Sequence, residues 1–238
     1  MTKERAAPRP YARSGPWTDL GLTLPIFVLY HLGVIFLPVR NAADGVTEEL
    51  VALAHHDRLV YAALTLGLGA LYVTVLLLLG RGRSLAWSNF AWLAVEGFVY
   101  AFAMRLVAGT LVGKLFLAPG SLGVSERFAG LVMSLGAGLY EELVFRAGLF
   151  GLGFRLLWLI GGRPRRVQSL ALGVAWAAIS SLVFSAWHHV GAFGEALDAR
   201  VFVFRAVCGM IFTLIYVTRG LAPTVWTHVI YDVWVLVL

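Results

Sequence analysis

Apolar runs of about 20 residues recur along this 238-residue chain, and they limit its possible folds more than any other feature. A helix of that length crosses the hydrocarbon core of a bilayer, which is roughly 30 Å thick. The qualifying runs are residues 20–39, 59–79, 85–104, 128–154, 169–190, 201–218 and 221–238. The sequence therefore predicts an all-α polytopic integral membrane protein, a helical bundle of about seven transmembrane helices.

Two segments leave the number and shape of the spans open. The run 128–154 would be roughly 40 Å long as an α-helix, so it must tilt, bend at its glycines or protrude into water. Residues 106–117 are apolar but too few to span the bilayer alone. They continue the third helix, lie at the interface, or add an eighth helix.

The composition agrees with a membrane protein. Hydrophobic residues make up 60% of the chain and charged residues 13%, with a mean hydropathy of +0.82. The net charge is +6, and the basic residues lie mostly in short gaps between apolar runs, where they can contact lipid head groups. Membrane lipids are therefore expected partners and nucleic acid is not. The single cysteine, Cys208, offers neither a disulfide nor a cysteine metal cluster.

The loop charges predict the orientation of the chain, because basic residues of short loops collect on the cytoplasmic side. With a cytoplasmic N-terminus, that side receives Lys3, Arg5, Arg9, Arg13, Arg81, Arg83, Arg155, Arg163, Arg165, Arg166 and Arg219. The opposite side receives only Arg40, Arg58, Lys114, Arg127 and Arg200. The N-terminus is therefore expected in the cytoplasm, and the Ala-, Leu-, Arg- and Gly-rich composition favours a bacterial inner (cytoplasmic) membrane.

The chain divides into a tail and a membrane domain. Residues 1–16 are basic and Pro-rich, and we expect them to form a disordered cytoplasmic tail. Residues 17–238 are expected to form one membrane-embedded helical domain. Within its first long loop, residues 46–54 predict a short surface helix capped by Asp44 or Thr47.

Charged residues inside the fourth run are the strongest indication of function. A charge at the bilayer centre costs about 2.5–3.5 kcal/mol on insertion scales, so each one needs a partner, a watery cavity or a function. Glu142 and Arg146 are four residues apart and can pair along one helix face. Glu141 points about 100° away from Glu142 and has no cation at helical spacing. Its carboxylate is therefore the one that the helix leaves unneutralised.

Two later runs carry a histidine at helical spacing from a partner. Phe184 and His188 share one face of the fifth run, and His228 and Asp232 share one face of the seventh. A carboxylate that accepts from one imidazole nitrogen sets the tautomer and aims the other nitrogen. Any one of these residues taken alone is equally consistent with a helix–helix hydrogen bond. The occurrence of the whole set on three apolar runs favours a catalytic site over structural hydrogen bonds.

His31 and Glu96 are ionisable residues of the first and third predicted spans. His31 is alone in the first run and is interpreted as a packing residue. Glu96 in the third run is expected to have a structural partner, an arginine on another helix.

The three motifs together resemble those of the CAAX protease and bacteriocin-processing (CPBP) family, also called the ABI family. Its best-known members are the type II CAAX prenyl endopeptidases. The resemblance covers residues 128–232 and consists of Glu141-Glu142-x-x-x-Arg146, Phe184-x-x-x-His188 and His228-x-x-x-Asp232, in that order on separate apolar runs.

The resemblance implies an intramembrane endopeptidase of the glutamate type, without a metal or cofactor. Glu141 would activate a water molecule with help from His188. Glu142 and Arg146 would hold the first motif in place. The substrate would be a peptide or protein that is membrane-anchored or lipid-modified, and a membrane-associated segment, a C-terminal segment and a leader peptide all remain open as the cleaved part.

The same resemblance implies that His228 and the residue at position 232 stabilise the oxyanion. This sequence has aspartate at 232, where the prenyl endopeptidases have asparagine. Because an ionised carboxylate cannot donate a hydrogen bond to an oxyanion, we expect Asp232 to orient His228, which then donates alone. From the predicted cytoplasmic ends, His228, Glu141 and His188 lie at depths of roughly 10, 20 and 28 Å. They can meet only if the spans are tilted or staggered.

The same residues are consistent with other functions. Two histidines and a carboxylate are enough to ligate a catalytic zinc ion. The same residues could relay protons in a transporter. An inactive homologue acting as an immunity or scaffold protein is the third alternative.

Overall fold

The computed structural model describes residues 15–37, 39, 41–55, 57–80, 85–112, 124–162, 166–191 and 194–238. Within these ranges the chain forms helices and no strands, which confirms the predicted all-α fold. In chain order the helices are α1 (Pro16–Phe36), α2 (Gly45–Leu53), α3 (Arg58–Leu79), α4 (Trp87–Val112), α5 (Val124–Gly136), a π-helical segment (Ala137–Leu152), α6 (Gly153–Gly161), α7 (Arg166–Trp187), α8 (Ala199–Arg219) and α9 (Leu221–Leu236).

Six helices in the described part of the chain are long and apolar enough to cross a membrane. They correspond to the first six predicted runs, the fourth of which is the continuous helix Ser125–Gly161 formed by α5, the π segment and α6. The seventh predicted run forms α9, which has 16 residues and is shorter than a full span. The chain is thus a polytopic helical membrane protein.

The fourth run forms one helix of 37 residues, longer than predicted, and changes its helix type instead of breaking. From Ala137 to Leu152 it is π-helical, and at its end the Gly153 amide donates to the Gly148 carbonyl five residues earlier. Wide π turns are rare and are often found at functional sites. Gly138 permits a close approach here, since a Cβ at that position would collide with the side chain of Val229 on α9.

Helix α9 occupies the centre of the helix packing. It contacts α1, α4, α5, α8 and the π segment. The main buried cluster joins α1, α5, the π segment and α9, and consists of Ile26, Phe27, Tyr30, Val132, Leu135, Leu139, Tyr140, Leu221, Val225 and Val229. The motifs on the π segment and α9 are therefore held against each other by this core.

Two acidic residues join helices that are distant in sequence. Asp19 on α1 accepts hydrogen bonds from the backbone amides of Leu221 and Ala222 at 3.2 and 3.3 Å, so it caps the first turn of α9. Glu96 on α4 pairs with Arg219 on α8, with Nε–Oε1 at 2.5 Å and Nη2–Oε2 at 3.0 Å. The expected arginine partner of Glu96 is confirmed.

The two local expectations outside the site are also met where the structure describes them. The apolar stretch 106–117 continues the third helix, because α4 extends to Val112; residues 113–117 lie outside the described residues. The surface helix predicted at 46–54 is α2, and its cap is Asp44, which accepts from the Thr47 amide at 2.8 Å.

The orientation of the chain remains a prediction. The predicted tail at 1–16 lies outside the described residues except for Gly15 and Pro16. Several of the loop cations that carry the charge asymmetry also lie outside them, namely Arg40, Arg81, Arg83, Lys114, Arg163 and Arg165.

Candidate active site

The two adjacent glutamates of the π segment are both buried, with 4% of Glu141 and none of Glu142 exposed. Glu142 pairs with Arg146 at 3.0 Å, as the spacing predicts. The Arg146 guanidinium also lies over two aromatic rings, 4.1 Å from the centroid of Phe184 and 5.0 Å from that of Phe212. A buried cation is therefore stabilised by a carboxylate and by two ring faces at once.

Glu142 contacts a second basic side chain, His228 on α9. The Nδ1 atom of His228 lies 2.6 Å from Oε1 of Glu142. Asp232 lies 3.5 Å from the other nitrogen, Nε2, which is too far for a strong hydrogen bond. The hydrogen-bond partner at Nδ1 is thus Glu142 and not Asp232, and the role expected of Asp232 stays a prediction. Glu142 makes that orienting contact, because the π segment and α9 pack side by side.

His188 lies directly after the last residue of α7 and is held by the end of that helix. Its Nδ1 is 2.9 Å from the carbonyl oxygen of Phe184, and because a carbonyl only accepts, Nδ1–H is the donor. In the neutral ring the lone pair is then on Nε2, which is 3.6 Å from Oε2 of Glu141. The Phe184 ring packs edge-on against the imidazole with centroids 5.1 Å apart.

The two oxygens of Glu141 have different surroundings. Oε1 accepts a hydrogen bond of 2.8 Å from the side-chain amide of Asn41, in the loop between α1 and α2. Oε2 has no hydrogen-bond partner among the described residues and faces both imidazoles, 3.6 Å from Nε2 of His188 and 3.9 Å from Nε2 of His228. Oε2 is therefore the oxygen available for chemistry.

Three carboxylates surround the ring of His228. Glu142 is at its Nδ1, and Asp232 and Glu141 lie 3.5 and 3.9 Å from its Nε2. Opposite charges at these distances in a buried site favour the protonated imidazolium. In that form Nδ1–H donates to Glu142, and Nε2–H remains available as a donor at the reaction site.

These residues open onto a cavity of about 640 Å³. Its polar lining includes Asn41, Glu141, His188, His228 and Asp232, and its apolar walls include Met133, Phe204, Phe212, Val235 and Leu236. An apolar cavity with a few convergent polar groups is typical of a site for an organic ligand.

A charged pair also lines this cavity. Arg205 donates two hydrogen bonds to the Glu195 carboxylate, at 2.8 and 3.0 Å, and these lower the pKa of Glu195. The Glu195 side chain is 58% exposed, so the pair marks the part of the cavity that is open to solvent.

The structure brings together the six residues predicted from the motifs, despite the different depths estimated for three of them. His31 is a buried packing residue, as predicted, and its Nε2 lies 2.8 Å from the hydroxyl of Tyr140, next to Glu141 in sequence. In the part of the chain that the structure describes, no three His, Cys, Asp or Glu side chains are grouped to hold a metal ion.

Sequence reasoning missed Asn41 and Phe212. Phe212 on α8 stacks on the ring of His228, with centroids 4.5 Å apart. Asn41 contacts Glu141 from 100 positions away in the chain. Neither belongs to a motif, and no local spacing links them to the histidines or glutamates.

The comparisons with known proteins agree with these motifs. Residues 123–234 match the family model described as "Rce1-like: Type II CAAX prenyl endopeptidase Rce1-like". The matched segment contains Glu141, Glu142, Arg146, His188, His228 and Asp232. No curated protein and no solved structure gives a significant match.

Proposed function

Because this chain belongs to the CAAX protease and bacteriocin-processing family of membrane proteases, we propose that it is an intramembrane endopeptidase of the glutamate type. One observation carries the proposal: Oε2 of Glu141 faces Nε2 of both His188 and His228 on the wall of an apolar cavity. A carboxylate acceptor between two imidazoles suits hydrolysis of an amide bond.

Glu141 and His188 activate the attacking water. Both Oε2 and Nε2 of neutral His188 are acceptors, and they are 3.6 Å apart. One water molecule between them donates a hydrogen bond to each and turns an oxygen lone pair toward the substrate carbonyl. Glu141 takes one proton as the water oxygen bonds to the carbonyl carbon. It then gives that proton to the departing amine as the C–N bond breaks.

His228 stabilises the negative charge on the carbonyl oxygen during this step. The imidazolium donates Nε2–H to the oxyanion while its Nδ1–H is held by Glu142. Asp232 supports this role through its charge, because a carboxylate 3.5 Å from Nε2 favours the protonated ring. Glu142 and Arg146 do not contact the substrate. Their ion pair holds in place the helix surface that carries Glu141 and contacts His228.

The substrate is a peptide segment that enters from the membrane or its surface. The apolar cavity walls suit a hydrophobic stretch of polypeptide, with or without an attached lipid. The protein acts in a bacterial cytoplasmic membrane, with its N-terminus in the cytoplasm.

Comparing Glu141→Gln with wild type in the protein's own cells tests this function. Quantitative mapping of protein termini should find cleavage sites that are present with wild type and lost with Glu141→Gln. For purified protein and a peptide spanning such a site, the cleavage rate should fall by about 10²–10⁴-fold, because glutamine keeps the size but cannot accept the proton. Glu49→Gln on the exposed face of α2 is the matched control and should cleave like wild type.

Metal analysis of the same preparations separates this mechanism from a zinc peptidase. The active protein should hold less than stoichiometric zinc and should keep its activity after chelation and dialysis. An active Glu141→Gln variant, or stoichiometric zinc whose removal abolishes turnover, would overturn the proposal.

A further inference from the structure

We propose that Asn41 is a positioning residue for Glu141, holding its Oε1 so that Oε2 faces His188. The inference rests on the function proposed above and adds a residue to that machinery. Asn41 lies in the loop between α1 and α2, outside residues 123–234 that match the family model. The N-terminal half of the chain would then take part directly in the site.

The hydrogen bonds of Asn41 define which end of its amide faces Glu141. Its Oδ1 accepts from the backbone amide of Ala43 at 2.8 Å, and its Nδ2 donates to Oε1 of Glu141 at 2.8 Å. The flipped amide would set an oxygen against a carboxylate oxygen and an NH₂ group against an N–H, so only one orientation satisfies both contacts. The residue is 6% exposed, so water competes little for these bonds.

The loop that carries Asn41 is itself anchored to α1 and α2. The backbone amide of Asn41 donates to the hydroxyl of Tyr30 at 3.2 Å, and this hydroxyl donates to Oδ2 of Asp44 at 2.7 Å. The other oxygen of Asp44 caps α2 through the Thr47 amide. Asn41, Tyr30, Asp44 and Thr47 are all buried. The donor that reaches Glu141 is thus held by two helices.

A carboxylate needs such a contact to act in one orientation. The terminal torsion of a glutamate is broad and nearly two-fold, so the side chain alone does not decide which oxygen faces His188. A donor on Oε1 selects one orientation, and it also stabilises the ionised form that must accept the proton from water. Small errors in the position of reacting groups can cost about 10²-fold in rate.

The test uses the peptide that spans the strongest Glu141-dependent cleavage site. Asn41→Ala should lower kcat by about 10- to 100-fold and change KM by less than about 3-fold, because alignment is lost and the cavity is kept. Asn89→Ala on α4, away from the cavity lining, is the matched control and should leave both constants unchanged.

The pH dependence of kcat gives a readout that a purely structural role would not move. Asn41 donates to the carboxylate that accepts the proton, so the pH profile of kcat should change in Asn41→Ala and stay as in wild type in Asn89→Ala. The other groups facing Glu141 are His188 and His228, with Asp232 and the Glu142–Arg146 pair next to them. These groups are the same in both variants, so a difference between the two pH profiles is due to Asn41.

Asn41→Asp is the second variant, and it tests the role of the Asn41 donor if Asn41→Ala folds poorly. Aspartate keeps an acceptor for the Ala43 amide but replaces the donor with a second negative charge near Glu141. We expect a loss of kcat at least as large as for alanine. Wild-type kcat and an unchanged pH profile in either folded variant, with Glu141→Gln inactive, would overturn the inference alone. If no cleavage site depends on Glu141, the proposed function fails first and this inference fails with it.

Discussion

Nδ1 of His228 lies 2.6 Å from Oε1 of Glu142, and the same oxygen lies 3.0 Å from Nη1 of Arg146. The second glutamate of the pair therefore holds two basic side chains, one on its own helix and one on α9. This contact links the first motif to the third and leaves Nε2 of His228 directed toward Glu141.

Replacing Glu142 should act mainly by lowering the free energy of unfolding, with the loss of activity as a consequence. Glu142→Gln removes the charge that neutralises Arg146 and His228, and breaking a buried ion pair costs about 3–5 kcal/mol. We expect a lower unfolding temperature in detergent and lower yield, together with lost activity. Glu141→Gln is the control and should unfold near the wild-type temperature. A Glu142→Gln protein that is as stable as wild type but inactive would move this residue into the chemical step.

Substitutions at Asp232 and His228 should have very different effects on cleavage. Asp232→Asn should retain activity within about tenfold of wild type, because Glu142 still orients His228 and an amide can donate to the oxyanion. His228→Ala should lose about 10²–10³-fold in rate, as expected when one oxyanion donor is removed. The measurement is kcat for both variants on the same peptide. A folded but inactive Asp232→Asn protein would show that the carboxylate charge is required and would favour a metal at the site.

Cysteine labelling tests the predicted orientation. In a background in which Cys208 is replaced by alanine, Arg13→Cys should be shielded from a membrane-impermeant thiol reagent in intact cells, and Glu49→Cys should react. Labelling of both in disrupted cells controls for accessibility. The reverse pattern would place the N-terminus outside the cytoplasm.

The sequence was sufficient wherever one local pattern determines the outcome. The long apolar runs predict the helices, because a bilayer leaves few other ways to satisfy the backbone. The spacing of Glu142 and Arg146 predicts their pair, because residues four apart share a helix face. The unpaired state of Glu141 along its own helix followed from the same periodicity.

Only the tertiary structure decided which atoms meet between helices. The motifs suggested Asp232 as the orienting partner of His228 because the two are neighbours on α9, yet packing against the π segment places Glu142 there instead. Asn41 contacts Glu141 from 100 positions away in the chain, and the sequence around either residue does not predict that contact. Helical periodicity specifies a shared face within one helix, whereas the partner across an interface depends on tilt, stagger and the close approach that residues such as Gly138 allow. By itself the sequence determined the membrane-spanning helices and the motif residues. The packing of those helices decided how the motif residues face one another and brought Asn41 and Phe212 to them.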